Sequence, residues 1–180
     1  MQRLWGRENV SAPILFVVKD VWEIWQMEAQ RNPWRETGGI LMGYWVSRDE
    51  VVLTHATGPG PHACRKRRSL EMDGDYCQGQ LEIVYASSAG ALTFLGDWHT
   101  HPVGPLHPSQ RDRSTLRDIG ADPNYRTEAP LMIIYGPTWS ATAFRFWKWL
   151  TPPTAAAYLL TDKGDLAALQ IWTIPSIPAE

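Results

Sequence analysis

The chain has 180 residues, 44% of them hydrophobic and 20% charged, and carries a formal net charge of −2. That size supports one core burying roughly 70% of the surface an unfolded chain exposes, and the composition excludes a disordered polypeptide. The near-neutral charge gives no global nucleic-acid signal, no apolar run reaches membrane-span length, and Met1 to Val10, with Arg3, Arg7 and Glu8, lacks the apolar core of a secretory signal.

A cytoplasmic location with no membrane or nucleic-acid partner is therefore expected. In chain order, Ile14 to Val18 reads as a strand and Lys19 to Arg31 as a helix with Val21, Ile24 and Trp25 on one side, ended by Asn32-Pro33. Gly39 to Val46 and Val51 to Ala56, joined by the polar turn Ser47 to Glu50, form an antiparallel hairpin. Thr57 to Met72 carries glycines, prolines and Arg65-Lys66-Arg67-Arg68, fits neither helical nor strand periodicity, and reads as loop. Tyr76 to Ser88 resumes helical spacing with Cys77, Leu81, Val84 and Tyr85 inward. The strand Leu92 to His101 follows, and then a helix on which Asp112, Leu116 and Ile119 share a face.

Asp122 to Pro130 is loop-like, and the continuous apolar run Leu131 to Tyr135 suits a buried central strand, turned by Gly136-Pro137. Ala141 to Trp149 alternates as a strand with both faces covered. Ala155 to Thr161 reads as a short helix or strand, and Leu166 to Ile174 as an edge strand before a flexible tail, Pro175 to Glu180. The order of elements implies an α/β fold, a mixed sheet with helices on both sides. The ten tryptophans sit mostly in apolar patterns, where core packing explains them.

Chemistry concentrates in His99-Thr100-His101-Pro102, followed by Ser109 and Asp112. Side chains two apart on a strand point the same way, so His99 and His101 can reach one ion, and Asp112 can close the set. Two imidazoles and a carboxylate suit zinc, and three protein ligands leave a fourth tetrahedral position for water. An inward carboxylate on the following helix needs a partner, because burying it alone costs several kcal/mol. Ser109 and Asp112 also read as a helix start of capping-box type, a role that leaves the paired histidines unexplained. Glu36, in Glu36-Thr37-Gly38-Gly39-Ile40-Leu41-Met42-Gly43, is the candidate proton acceptor; its spacing alone equally suits a solvated residue at a strand entrance.

Together, Glu36 with its Gly-Gly-Ile-Leu-Met-Gly, then His-Thr-His-Pro, then Ser109 and Asp112 resemble the complete signature of the JAB/MPN (JAMM) zinc metallopeptidases, over about Phe16 to Trp149. The resemblance implies a cytidine-deaminase-like three-layer sandwich with a mixed central sheet. It implies one domain over residues 1–180, with a core at about 14–150 and a C-terminal extension at 151–180. It implies one zinc per chain on His99, His101 and Asp112, Glu36 as general base and Ser109 supporting the oxyanion.

Gly96-Asp97-Trp98-His99-Thr100-His101-Pro102 and Gly58-Pro59-Gly60-Pro61 look most like bacterial stand-alone members, many linked to E1-like and E2-like proteins, including those of CBASS antiphage systems. The implied activity is cleavage after the C-terminus of a ubiquitin-like modifier, or of a protein conjugated by such a system, with the nucleotidyltransferase itself as the conjugated protein in CBASS. An extended C-terminus held by added-strand pairing is the implied mode of recognition. Two other readings stay open: a catalytically silent MPN-type binding module, and a peptidase processing sulfur-carrier C-termini. Cys64 and Cys77 form no disulfide framework, and His107 is read as a non-ligand, since Asp112 already completes a shell. Arg65 to Arg68 reads as a solvated patch or an acidic partner's dock, with nucleic-acid contact as the competing role.

Overall fold

The alternating and apolar segments become strands of one curved sheet in a computed structural model that describes residues 12–127, 129–137 and 153–176. The elements run β1 (Ile14–Val18), α1 (Lys19–Arg31), β2 (Gly38–Trp45), β3 (Glu50–Ala56), β4 (Cys64–Arg65), β5 (Leu70–Glu71), α2 (Gly74–Ser87), β6 (Thr93–Thr100), α3 (Gln110–Ala121), β7 (Leu131–Pro137), β8 (Pro153–Leu160) and β9 (Leu166–Ile174). A short 3₁₀ turn, Pro123–Tyr125, precedes β7. The strand Ala141 to Trp149 expected from sequence lies outside the described residues.

The sheet is mixed, as its α/β pattern requires. β1 runs parallel to both β3 and β9, and β6 parallel to β7, while the other neighbours are antiparallel. It departs from the expected three-layer sandwich by closing into a barrel of order β1-β3-β2-β6-β7-β8-β9. β9, expected at an edge, hydrogen-bonds to β8 on one side and β1 on the other. Register shifts in β2, at Met42/Gly43 against β3 and at Leu41/Met42 against β6, supply the local bending and extra twist that let a sheet curl, and closure removes both exposed edges. Apolar alternation in a sequence carries no trace of such bulges.

Strand alternation sorts the side chains into an inner and an outer set. Leu15, Val17, Leu41, Leu53, Leu95, Trp98, Leu131, Ile133 and Tyr135 converge on one core with Val21 and Trp25 of α1. The Trp25 ring lies 6.0 Å from Trp98 and 6.1 Å from Tyr135, distances at which aromatic pairs add to the area they bury. On the opposite face Ile40, Met42 and Phe94 meet Cys77 of α2 and Ile119 of α3. Met132 and Ile134 meet Leu116 of α3 and Leu160 of β8. β7, with residues in both the inner core and this outer cluster, is buried on both faces, as its apolar run announced.

Smaller differences have local causes. The segment expected to be wholly loop contains the β4–β5 hairpin, too short for periodicity to register. Tyr85 is 47% exposed rather than inward, because eight residues on from Cys77 it stands about 80° round the helix from it. Gly136 and Pro137 stay within β7, paired to Thr154 and Pro153 of β8. Cys64 and Cys77 are both free.

Candidate metal centre

His99 reaches the site because β6 is held between two strands: it is in register with Gly38 of β2 and Ile134 of β7. Gly38 permits that approach, since a Cβ there would lie 2.1 Å from the Trp98 carbonyl oxygen and 2.9 Å from the His99 Cα. His101 lies just beyond the strand end, where its N–H donates to the Tyr135 carbonyl at 2.9 Å. Asp112 comes from the first turn of α3, whose start is fixed by a capping box: the Asp112 N–H donates to Ser109 Oγ at 3.2 Å, and the Ser109 N–H donates to Asp112 Oδ2 at 2.6 Å. The capping box expected of Ser109 and Asp112 is thus present in the same geometry that brings the Asp112 carboxylate to the two histidines.

The three side chains converge. His99 Nε2 is 3.1 Å from His101 Nε2, and Asp112 presents Oδ1 at 3.7 Å to His99 Nε2 and Oδ2 at 3.8 Å to His101 Nε2. Among the described residues this is the one group of three or more His, Cys, Asp or Glu side chains compact enough to hold an ion. Ligand atoms about 2.1 Å from a tetrahedral ion stand about 3.4 Å apart, and one ligand atom from each of the three residues lies within 4.8 Å of the others, near enough to converge on one ion. His101 Nδ1 lies 2.8 Å from the Pro105 carbonyl, which can only accept, so Nδ1 carries a proton and it is Nε2 that a neutral ring would offer to an ion. This outer hydrogen bond is typical of a metal-ligating histidine.

The charges respond to one another. Burial raises the Asp112 carboxyl, but His101, His99 and the Ser109 bond outweigh it and hold the group far below the usual carboxylate range. Burial lowers the His101 imidazole, while Asp112 and the Pro105 carbonyl more than reverse that. Glu36 shifts the other way: burial lifts its carboxyl against the pull of His99 and His101.

Glu36 lines the same cleft of about 640 Å³ as His99, His101, Ser109 and Asp112. All five residues singled out from the sequence are therefore brought together. Glu36 is carried on the approach to β2, where its N–H donates to the Lys66 carbonyl at 2.8 Å. The next residue, Thr37, is locked to the ligand strand: its N–H donates to Thr100 Oγ1 at 3.0 Å, and the Thr100 N–H donates to the Thr37 carbonyl at 2.7 Å. The Thr37 hydroxyl donates to buried Glu28 of α1 at 2.8 Å. His107 lines the cleft but stands apart from the ligand group, its Nδ1 3.0 Å from the Tyr158 hydroxyl.

The sequence pattern did not single out Thr37, Thr100 or Asp97. Thr100 between the two histidines was the available clue, since the odd member of a His-x-His strand faces the other way, here toward the segment that carries Glu36. Asp97, on the same face as His99, is buried and leaves Oδ1 without a hydrogen-bond partner among the described residues.

Comparison with known proteins agrees with this arrangement. Residues 19–150 match the family described as prokaryotic homologues of the JAB domain. The chain is 35% identical over 122 residues to the probable metalloprotease y4qB of Sinorhizobium fredii, covering 67% of this chain and 74% of that protein. It is 36% identical over 102 residues to a CD-NTase/cGAS isopeptidase of Escherichia coli and 32% identical over 102 residues to one of Vibrio cholerae; each match spans 56% of this chain and 62% of the relative. The solution structure of protein DSY2949 from Desulfitobacterium hafniense shares the fold, with a TM-score of 0.54 at 21% identity over 89% of this chain and 93% of that one. A family match across most of the chain, joined to a converged His-His-Asp group with a glutamate in the same cleft, means that this chain belongs to the prokaryotic branch of the JAB/MPN (JAMM) metallopeptidase family.

Proposed function

We propose that the protein is a zinc-dependent peptidase or isopeptidase that cleaves after the C-terminus of a conjugated protein. The observation that carries this reading is the convergence of His99, His101 and Asp112 with Glu36 in one cleft. Zinc held by those three side chains would act as a Lewis acid and lower the pKa of water at its open position to about 7.

The protein's own groups supply the rest. Glu36 accepts the proton of the attacking water, and burial, by raising its carboxyl, brings it nearer to the range in which a carboxylate serves as a base and then as an acid. The same carboxyl then delivers the proton to the departing amine nitrogen. Ser109 Oγ accepts the Asp112 N–H, which leaves its own hydroxyl hydrogen free to donate to the developing oxyanion.

Relatives named CD-NTase/cGAS isopeptidase support a conjugated-protein substrate, in this reading one joined through its C-terminus, by a peptide or lysine isopeptide bond, to another protein. Both a ubiquitin-like modifier and a nucleotidyltransferase conjugated by an E1/E2-like system fit that description. The resulting setting is antiphage defence in the cytoplasm; no helix among the described residues is long and apolar enough to cross a membrane.

In the test, proteins encoded beside this one are fused at their C-termini to a short extension, incubated with the zinc-loaded protein, and the products are mapped by mass spectrometry. Chelator-sensitive cleavage directly after the native C-terminus is expected. Cleavage only at internal sites of unfolded proteins, or none that responds to chelation, would overturn the proposal.

A further inference from the structure

The basic run Arg65-Lys66-Arg67-Arg68 acquires a location in the fold. It opens the β4–β5 hairpin, in which Cys64 pairs with Glu71 and Arg65 with Leu70, and the Lys66 N–H donates to the Ser69 carbonyl at 2.9 Å to close the turn. The hairpin is tied to the site through its backbone, because the Lys66 carbonyl accepts the Glu36 N–H at 2.8 Å. Arg65 is partly used by the fold, with Nε 3.5 Å from Thr37 Oγ1.

Lys66, Arg67 and Arg68 are exposed, and none of them makes an ion pair with another described residue. Arg68 lines the catalytic cleft, and so does Arg111, exposed in the first turn of α3. Arg35, also exposed, directly precedes Glu36. Two separate segments thus bring unpaired cations to one cleft, Arg68 from the hairpin turn, with Lys66 and Arg67 beside it in sequence, and Arg111 from α3, with Glu71 the acidic residue on the hairpin itself. Clustering like charges without counter-charges is unfavourable in the free protein and is offset when an oppositely charged ligand arrives.

We propose that this cationic rim, formed by Lys66, Arg67, Arg68 and Arg111, binds an acidic peptide segment of the substrate beside the scissile bond. The proposal rests on the peptidase reading and names its preferred substrate: Asp- or Glu-bearing segments are selected and Lys- or Arg-rich ones repelled. Peptide is favoured over nucleic acid by the charges deeper in the cleft, where Glu36, Asp97 and Asp112 all line the cavity. A strand of evenly spaced phosphates entering it meets those carboxylates, whereas a peptide carries its acidic groups at the rim and presents a neutral amide within.

The experiment uses the full-length, zinc-loaded protein bearing Glu36→Gln to slow cleavage of the peptides, with the DNA titration repeated on the wild type so that the Glu36 carboxylate is present. Dye-labelled Glu-rich peptide, its Gln-for-Glu counterpart and single-stranded DNA are titrated by fluorescence anisotropy. The acidic peptide should bind about tenfold more tightly than the Gln counterpart at low ionic strength, with the gap narrowing as salt screens the exposed charges. Arg67→Glu with Arg68→Glu should remove that preference, while Arg67→Lys with Arg68→Lys should keep most of it and shows that the turn tolerates substitution. Equal binding of both peptides, full binding by the charge-reversed variant, or tighter binding of DNA than of acidic peptide overturns the proposal. Chelator-sensitive cleavage of fusions with no acidic preference overturns this inference alone, whereas loss of all such cleavage overturns the peptidase reading on which it rests.

Discussion

At the scale of single residues, the proposed mechanism separates groups that would hold a metal from groups that would move protons, and substitution distinguishes them. Glu36 is outside the His99–His101–Asp112 group, so Glu36→Gln is expected to keep zinc and fold but lower turnover by at least about two orders of magnitude, within the general-base range. Elemental analysis beside single-turnover assays checks both halves; cleavage at the wild-type rate would refute the assignment. Ser109→Ala should be milder for chemistry, though it also removes a helix cap worth about 1 kcal/mol. Asp97 permits a prediction of opposite sign. Burial pushes its carboxyl from the ordinary 3.8 up to about 6, with His99 opposing and Asp112 adding. Between those values the unfolded chain releases its proton while the fold retains it. Stability contributed by protonated Asp97 is therefore full below about pH 4 and lost as pH climbs through 6, about 3 kcal/mol in all. In chelated protein, Asp97→Asn should gain on wild type by that order between pH 4 and 7 in urea unfolding; a gap that does not widen with pH defeats the argument.

At the scale of elements, the site depends on how closely the segment after Glu36 is clamped to β6. Thr37 and Thr100 are both buried and exchange two hydrogen bonds across the strands, one through a side chain. Thr100→Val keeps the shape but strands the Thr37 N–H, at a cost of about 1–3 kcal/mol. As a positioning residue, Thr100 should show its loss mainly in kcat rather than KM, with Thr100→Ser restoring turnover; a stability loss with no change in kcat would show that the clamp does not align Glu36. The histidine pair, the inward face of α3 and the bounds of β1 and α1 were legible in the sequence because each rests on local periodicity or capping. The clamp was not, since it joins residues 63 apart through a side-chain oxygen. The hairpin carrying Arg65 was hidden for a related reason: two-residue strands have no period, and their place is fixed by the bond from Glu36 to Lys66.

For the whole molecule, closure of the sheet is what the sequence could not reveal, and it bears on how the fold and the metal are coupled. The main core of Leu15, Trp25, Trp98, Ile133 and their neighbours lies on the opposite face of β6 from His99 and is complete without an ion. A metal-free protein should therefore stay folded and cooperative, unlike small zinc domains whose fold is the binding free energy itself. Zinc would nevertheless tie β6 to the start of α3 across the connection from His101 to Ser109, and binding only the folded state adds stability by mass action. At a thousandfold excess over Kd that amounts to about 4 kcal/mol, which for a protein of this size corresponds to a rise in Tm of about 10 °C. Chelation should lower Tm by that order while preserving a single transition, and Asp112→Ala should abolish the response to added zinc. An unchanged Tm on chelating zinc-loaded wild type, or an equal zinc response in the variant, would mean that the three side chains do not hold the ion; collapse of the chelated protein to an unfolded state would mean that the barrel core does not stand alone.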